Sequence, residues 1–130
     1  MQVSGRLLVQ EFDKRLQALA AAGDNLLYGG LKGIEKESLR VAADGSLSML
    51  DHPVGLGSAL TNRYITTDFS EALLEFVTPT FETTWEVLHC VCDIHQFTYN
   101  KLGDEMLWPA SMPCHIPVDD KIPLARYGSS

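Results

Sequence analysis

Hydrophobic positions recur along this chain with two different periods. Between Leu8 and Ala22, Val9, Phe12, Leu16 and Leu19 return at helical spacing, with Glu11, Asp13, Lys14 and Arg15 on the other side. A period of 3.6 predicts an amphipathic packing helix, and Gly23 is placed to cap its C-terminus. From Leu31 to Val41 the pattern changes to that of a strand, with Gly33 just inside its start. Residues two apart then share a face. Ile34, Lys36, Ser38 and Arg40 fall on one side, and Gly33, Glu35, Glu37, Leu39 and Val41 on the other. Asp44-Gly45 makes a tight turn before Ser46 to Met49, which predicts a β-hairpin. A further strand ends at Thr78-Pro79; it puts Glu71, Leu73, Glu75 and Val77 on one face and Ala72, Leu74, Phe76 and Thr78 on the other.

Between and after these strands, Leu50 to Asn62 reads as loop. Its Gly55-Leu56-Gly57 lacks the third glycine of a dinucleotide fingerprint and the Gly-Lys-Ser/Thr of a P-loop, so it reads as a turn. Thr83 or Thr84 can cap a helix from Trp85 to about Leu102, with Glu86 in its first turn and Gly103 at its end. Its expected inner stripe is Leu88, Val91, His95, Thr98 and Leu102, with Val87 and Ile94 beside it. His89 and His95 are six apart, which does not put two metal ligands on one helical face, so one is expected at the surface and one packed. From Met106 onward four X-Pro steps argue for irregular structure, and residues 104–130 read as a Pro-rich segment wrapping an apolar surface.

Two features of the strands bear on chemistry. Glu35 and Glu37 lie about 6–7 Å apart on one face, at a rise of about 3.3 Å per residue, and repel each other. A hard cation held by carboxylate oxygens, such as Mg²⁺, would remove that repulsion. Taken alone, the strand reads more simply as an edge strand with two solvated acids. Glu75 adds to the case, because it interrupts an apolar run where a carboxylate is costly to bury without a partner. Asp68 stands just ahead in a Thr-rich turn. If the two strands share a sheet, Glu35, Glu37, Asp68 and Glu75 converge.

Composition narrows the partners. The 130 residues suit one small domain, and 45 % hydrophobic with 21 % charged residues is ordinary for a globular chain. A formal net charge of −7 without a basic cluster argues against nucleic-acid or membrane partners. No run approaches a membrane span, and the N-terminus carries no secretion signal. The odd cysteine count, Cys90, Cys92 and Cys114, has no paired-motif spacing and fits a reducing, cytoplasmic setting. Cys114 is expected as a packed thiol, with a substrate-pocket position as the alternative.

The runs Gly33-Ile34-Glu35-Lys36-Glu37-Ser38-Leu39-Arg40-Val41, Leu56-Gly57-Ser58-Ala59-Leu60, Ile65 through Pro79, Leu107-Trp108-Pro109, Ser111-Met112-Pro113-Cys114 and Ile122 to Gly128 follow one another in a familiar order. The chain resembles the N-terminal part of the bacterial glutamate–cysteine ligases. That resemblance implies an α+β fold, a mostly antiparallel sheet with flanking helices that is part of a glutamine-synthetase-like fold. It implies that residues 1–130 form a fragment of a single larger catalytic domain. It implies a reaction in which ATP phosphorylates the γ-carboxylate of glutamate and the amine of cysteine attacks the acyl phosphate. It maps the family's Mg²⁺ (or Mn²⁺) ligands onto Glu35, Glu37, Asp68 and Glu75, and a residue near the bound cysteine onto Phe69. These acids are expected to position metals and not to act as general bases, so no catalytic side chain is assigned. Asn62-Arg63 departs from the family pattern, which has a histidine and a basic residue there. Alternatives are a carboxylate–amine ligase with another amine acceptor, and a non-catalytic remnant or binding fragment.

Overall fold

Residues 5–23, 28–116 and 122–127 are described in a computed structural model. The chain divides into two compact units, residues 1–31 and 32–130. The first contains helix α1, Gly5–Ala21. Its stripe, Val9, Phe12, Leu16 and Leu19, is exposed, and Arg15 pairs with Glu11 one turn away at 3.2 Å. A packing role is therefore not realised within this unit, because its described residues offer no second element to bury the stripe.

The second unit holds four strands, β1 (Glu35–Val41), β2 (Ile65–Thr66), β3 (Leu73–Val77) and β4 (Met106–Leu107), and helix α2 (Thr84–Tyr99). The sheet is antiparallel with order β2-β3-β1-β4, an α+β arrangement. β1 is shorter than its pattern suggests and is an interior strand, not an edge. β3 flanks one side, and β4 pairs Leu107 with Arg40 and Met106 with Val41 on the other. The two-residue β4 is regular structure where irregularity is expected; Trp108-Pro109 stops it, since proline has no N–H for the ladder.

The hairpin forms at Asp44-Gly45. Ala42 N–H donates to Ser46 O at 2.9 Å, Val41 bridges Leu47, and Gly45 takes φ +81. The Asp44 carboxylate accepts from Ser46 N–H and Oγ, the side-chain turn that favours Asp here. The returning segment also bridges His115 through Ser46, so it is shared between two neighbours and does not run on as a full strand.

Helix α2 starts as its sequence requires. Thr83 Oγ1 accepts from Glu86 N–H, and the Glu86 carboxylate accepts from Thr83 N–H, a complete capping box. The helix ends at Tyr99, three residues short of expectation, because Asn100 caps it and Gly103 turns the chain at φ +64. Its buried positions are Val87, Ile94 and Thr98; Leu88 is half exposed. His89 is exposed and His95 half-buried, its ring edge-on to Phe76 at 5.0 Å. Ile94 joins Leu56, Ile65, Leu74, Phe76, Leu102 and Leu107 in the main core. A second cluster, Val41, Leu47, Ala72 and Cys114 with Leu39, Trp108 and Ile122 against it, makes Cys114 a packed thiol.

Arg40 is fully buried. One guanidinium nitrogen donates to both oxygens of Glu105, at 2.9 and 2.7 Å, and the other to the carbonyls of Leu50 and Glu71, each at 2.8 Å. A buried guanidinium charge is tolerated when a carboxylate and further acceptors meet its N–H groups, as the Glu105 carboxylate and two carbonyls do here. Truncation at Arg40 would leave a carboxylate and two carbonyls unpaired. Arg40→Ala is expected to destabilise by about 3–5 kcal/mol, measured as a lowered urea midpoint. Thr83→Ala, which removes only the cap, is expected to cost about 1 kcal/mol in the same measurement.

Candidate active site

The register of β1 on β3 decides what the acids can do. Glu37 pairs directly with Glu75, Glu35 with Val77 and Leu39 with Leu73, while Thr66 of β2 stands opposite Glu75 on its other side. Directly opposed residues in an antiparallel pair share a face, with Cβ atoms about 4.5–5.5 Å apart. Glu35, Glu37 and Glu75 therefore emerge from one surface. The other surface carries Lys36, Ser38 and Arg40 beside Leu74 and Phe76, and it is the one packed against α2. There the Lys36 amine lies 5.6 Å from the centre of the Phe76 ring. Burial holds that amine below the usual lysine range and, together with the Lys36 charge, does the same to His95. Along the acid face, exposure is graded. Glu35 and Glu37 are exposed, Glu75 and Leu39 are half-buried, and Val41 is buried in the second cluster.

Asp68 follows β2 by two residues and completes the electrostatics. Burial raises the Glu75 carboxyl above its ordinary value near 4.5, and the charges of Glu37, Glu35 and Asp68 raise it further. The other three predicted acids thus all act on Glu75. They do not form a closed cage: among the described residues no three His, Cys, Asp or Glu side chains are grouped so as to hold a metal ion by themselves. An open array of hard carboxylate oxygens suits Mg²⁺ or Mn²⁺, which keep waters and share coordination with substrate phosphates. Phe69, next to Asp68, is 74 % exposed and available to a ligand. A recess of about 430 Å³ opens beside Glu35 and Val77.

Alternation misplaces Glu71. It predicts Glu71 on the face of Glu75, but β3 begins only at Leu73, and Leu73 N–H donates to Ser70 O to close a turn. Glu71 is consequently buried away from the acid array. Its carboxylate accepts from His52 N–H at 3.0 Å and Arg126 N–H at 2.7 Å. Burial works to raise the Glu71 carboxyl, but these two N–H groups and the nearby His52 and Arg126 charges hold it below its usual range. Asn62, the departure from the family pattern, has a local structural role. Its amide donates to Leu56 O and accepts from Tyr64 and Ile65 N–H, setting the turn into β2.

A model of the glutamate-cysteine ligase family matches residues 16–130. The chain belongs to the glutamate–cysteine ligase family. It is 52 % identical over 124 residues to a glutamate–cysteine ligase of Pseudomonas entomophila, covering 95 % of this chain and 23 % of that protein. It is 48 % identical over 120 residues to one of Vibrio campbellii, covering 92 % and 23 %. Among solved structures it resembles a glutamate–cysteine ligase of Francisella tularensis in complex with AMP, with a TM-score of 0.72 and 40 % identity over 77 % of this chain and 20 % of that one. A bifunctional glutathione synthetase of Pasteurella multocida matches with a TM-score of 0.69 and 36 % identity, over 72 % and 13 %. The chain spans about a quarter of the length of the curated relatives it matches. Among the described residues no helix is long and apolar enough to cross a membrane.

The raised Glu75 carboxyl has a pH consequence. A carboxyl with a higher pKa folded than unfolded binds its proton more tightly in the native state. Stability then falls as pH rises from the ordinary value near 4.5 through the raised one. The expected outcome is a decline in the urea midpoint across that interval, flattened in Glu75→Gln, which removes the titrating group.

Proposed function

We propose that this chain supplies the metal-holding surface of an ATP-dependent glutamate–cysteine ligase, as part of a larger catalytic domain that works in the cytoplasm. The observation that carries the reading is the direct opposition of Glu37 and Glu75, with Glu35 and Asp68 adding to the same field. A protein gains nothing in stability by facing two carboxylates across a ladder; a divalent cation turns the arrangement to use. The names of relatives about 50 % identical support the activity, and the AMP in the Francisella structure supports a nucleotide substrate.

In this reaction ATP transfers its γ-phosphoryl group to the γ-carboxylate of glutamate, and the amine of cysteine displaces phosphate to leave γ-glutamylcysteine. Mg²⁺ or Mn²⁺, when bound, offsets the charge spread over the phosphoryl oxygens. Glu35, Glu37, Asp68 and Glu75 would hold it. The sheet keeps the backbones of the three glutamates fixed, and Thr66 Oγ1 donates to Ala59 O at 3.0 Å, tying the β2 edge of the site to the preceding loop. Phe69 offers an apolar surface for the cysteine side chain. Four carboxylates with no cationic side chain among them suit cation positioning, and no side chain of this segment need act as a nucleophile.

Glu75→Gln removes a ligand charge while keeping shape and relieving repulsion. In the ligation assay of the protein carrying this chain, it is expected to lower Mg²⁺-dependent turnover at least about 100-fold, since a bound cation supplies several kcal/mol. Folding by circular dichroism should persist. Full activity in this variant contradicts the assignment, and replacing cysteine by a panel of amines tests the acceptor.

A further inference from the structure

The turn that carries Asp68 and Phe69 lies outside the β-ladder, so something else must hold it. Residues 122–127 do so as a strap. Ala125 N–H donates to Phe69 O at 3.1 Å, and Glu71 N–H donates to Pro123 O at 2.9 Å. Ser70 bridges Leu124, and its Oγ donates to Pro123 O at 3.0 Å. Tyr127 Oη donates to Asp68 O at 3.2 Å. Four consecutive residues, from Asp68 to Glu71, are thus tied to one six-residue segment. Glu71 supplies the one carboxylate in this network. One oxygen takes Arg126 N–H and the other His52 N–H, while its backbone carbonyl takes the buried Arg40. A carboxylate that accepts backbone N–H groups makes bonds about twice as strong as neutral ones.

We infer that Glu71 is a positioning residue: by clamping the 122–127 strap and the His52 loop to the 68–71 turn, it sets where Asp68 and Phe69 stand relative to Glu37 and Glu75. This rests on the metal-site reading above. Glu71 is buried, and both of its carboxylate oxygens are taken by backbone N–H groups. It acts through the turn, as the outlying hydrogen-bond partners of metal ligands do elsewhere.

The test is Glu71→Gln in the protein carrying this chain, with Mn²⁺ as probe. A carboxamide has one acceptor oxygen, so one of the two N–H groups would face an NH₂ group. The half-saturating Mn²⁺ concentration, read from the free-ion electron paramagnetic resonance signal, is expected to rise about 10–100-fold. The KM for cysteine should rise with it, and kcat should recover at saturating metal. A merely structural role predicts less folded protein with unchanged Mn²⁺ affinity per folded molecule, and that result would overturn the inference. Should Glu71→Gln fail to fold, Arg126→Pro and Arg126→Ala decide. The first deletes the N–H that Glu71 accepts; the second keeps it and removes only an exposed side chain paired with Asp51 at 3.0 Å. Weakened Mn²⁺ binding in the proline variant alone supports the clamp, and equal binding in both refutes it. Glu75→Gln separates the two proposals. If it too leaves Mn²⁺ affinity unchanged, the metal reading fails; if it abolishes binding while Glu71→Gln does not weaken it, only the clamp fails.

Discussion

The facing of Glu37 and Glu75 is the constraint on which the rest of this structure turns. Like charges directly opposed on a sheet destabilise it, so the register that opposes them must be imposed by something stronger. It is imposed from the other side. Leu74 and Phe76 are completely buried against Ile94 of α2 and its neighbours, and Arg40 is locked to Glu105. Sliding β1 by one residue would carry Lys36 and Arg40 to the open face and bring the glutamates into the core. The site and the core are two faces of one register.

Charges in this molecule divide by whether the fold itself satisfies them. Arg40 and Glu71 are buried, and protein meets the terminal nitrogens of one and both oxygens of the other. The guanidinium has two carboxylate oxygens and two carbonyls, its Nε alone being left without a partner among the described residues, and the carboxylate has two backbone N–H groups. Such groups organise loops and strands. Glu35, Glu37, Asp68 and Glu75 are the opposite case. The first three all worsen the position of the fourth. That gathered like charge is what the proposed cation would offset.

The acid array draws on parts of the chain with different kinds of support. Glu37 and Glu75 sit in a ladder backed by the core, and their spacing follows from sheet geometry. Asp68 and Phe69 sit in a turn held by a strap more than fifty residues away in sequence. Placement of the ladder acids is therefore rigid by construction, and placement of the turn depends on a few hydrogen bonds that substitutions can remove singly.

Much of this was legible in the linear chain. Alternation placed Glu35 and Glu37 together, and the interruption of an apolar run singled out Glu75. Thr83 and Glu86 spelled out a capping box, and Asp44-Gly45 a hairpin. These features depend on neighbours two to four residues apart, where backbone geometry alone dictates who meets whom. Three things required the tertiary structure. The pairing of β1 with β3 set Glu37 against Glu75, because register is chosen by the buried face and not by either strand. The turn at Ser70 took Glu71 out of the alternation and gave its carboxylate to Arg126 and His52. The burial of Arg40 depended on Glu105 and on a carbonyl of the loop at Leu50, partners ten to sixty-five positions distant. Local periodicity carries no information about such partners, since it is the collapse of separate segments onto a common core that brings them within reach.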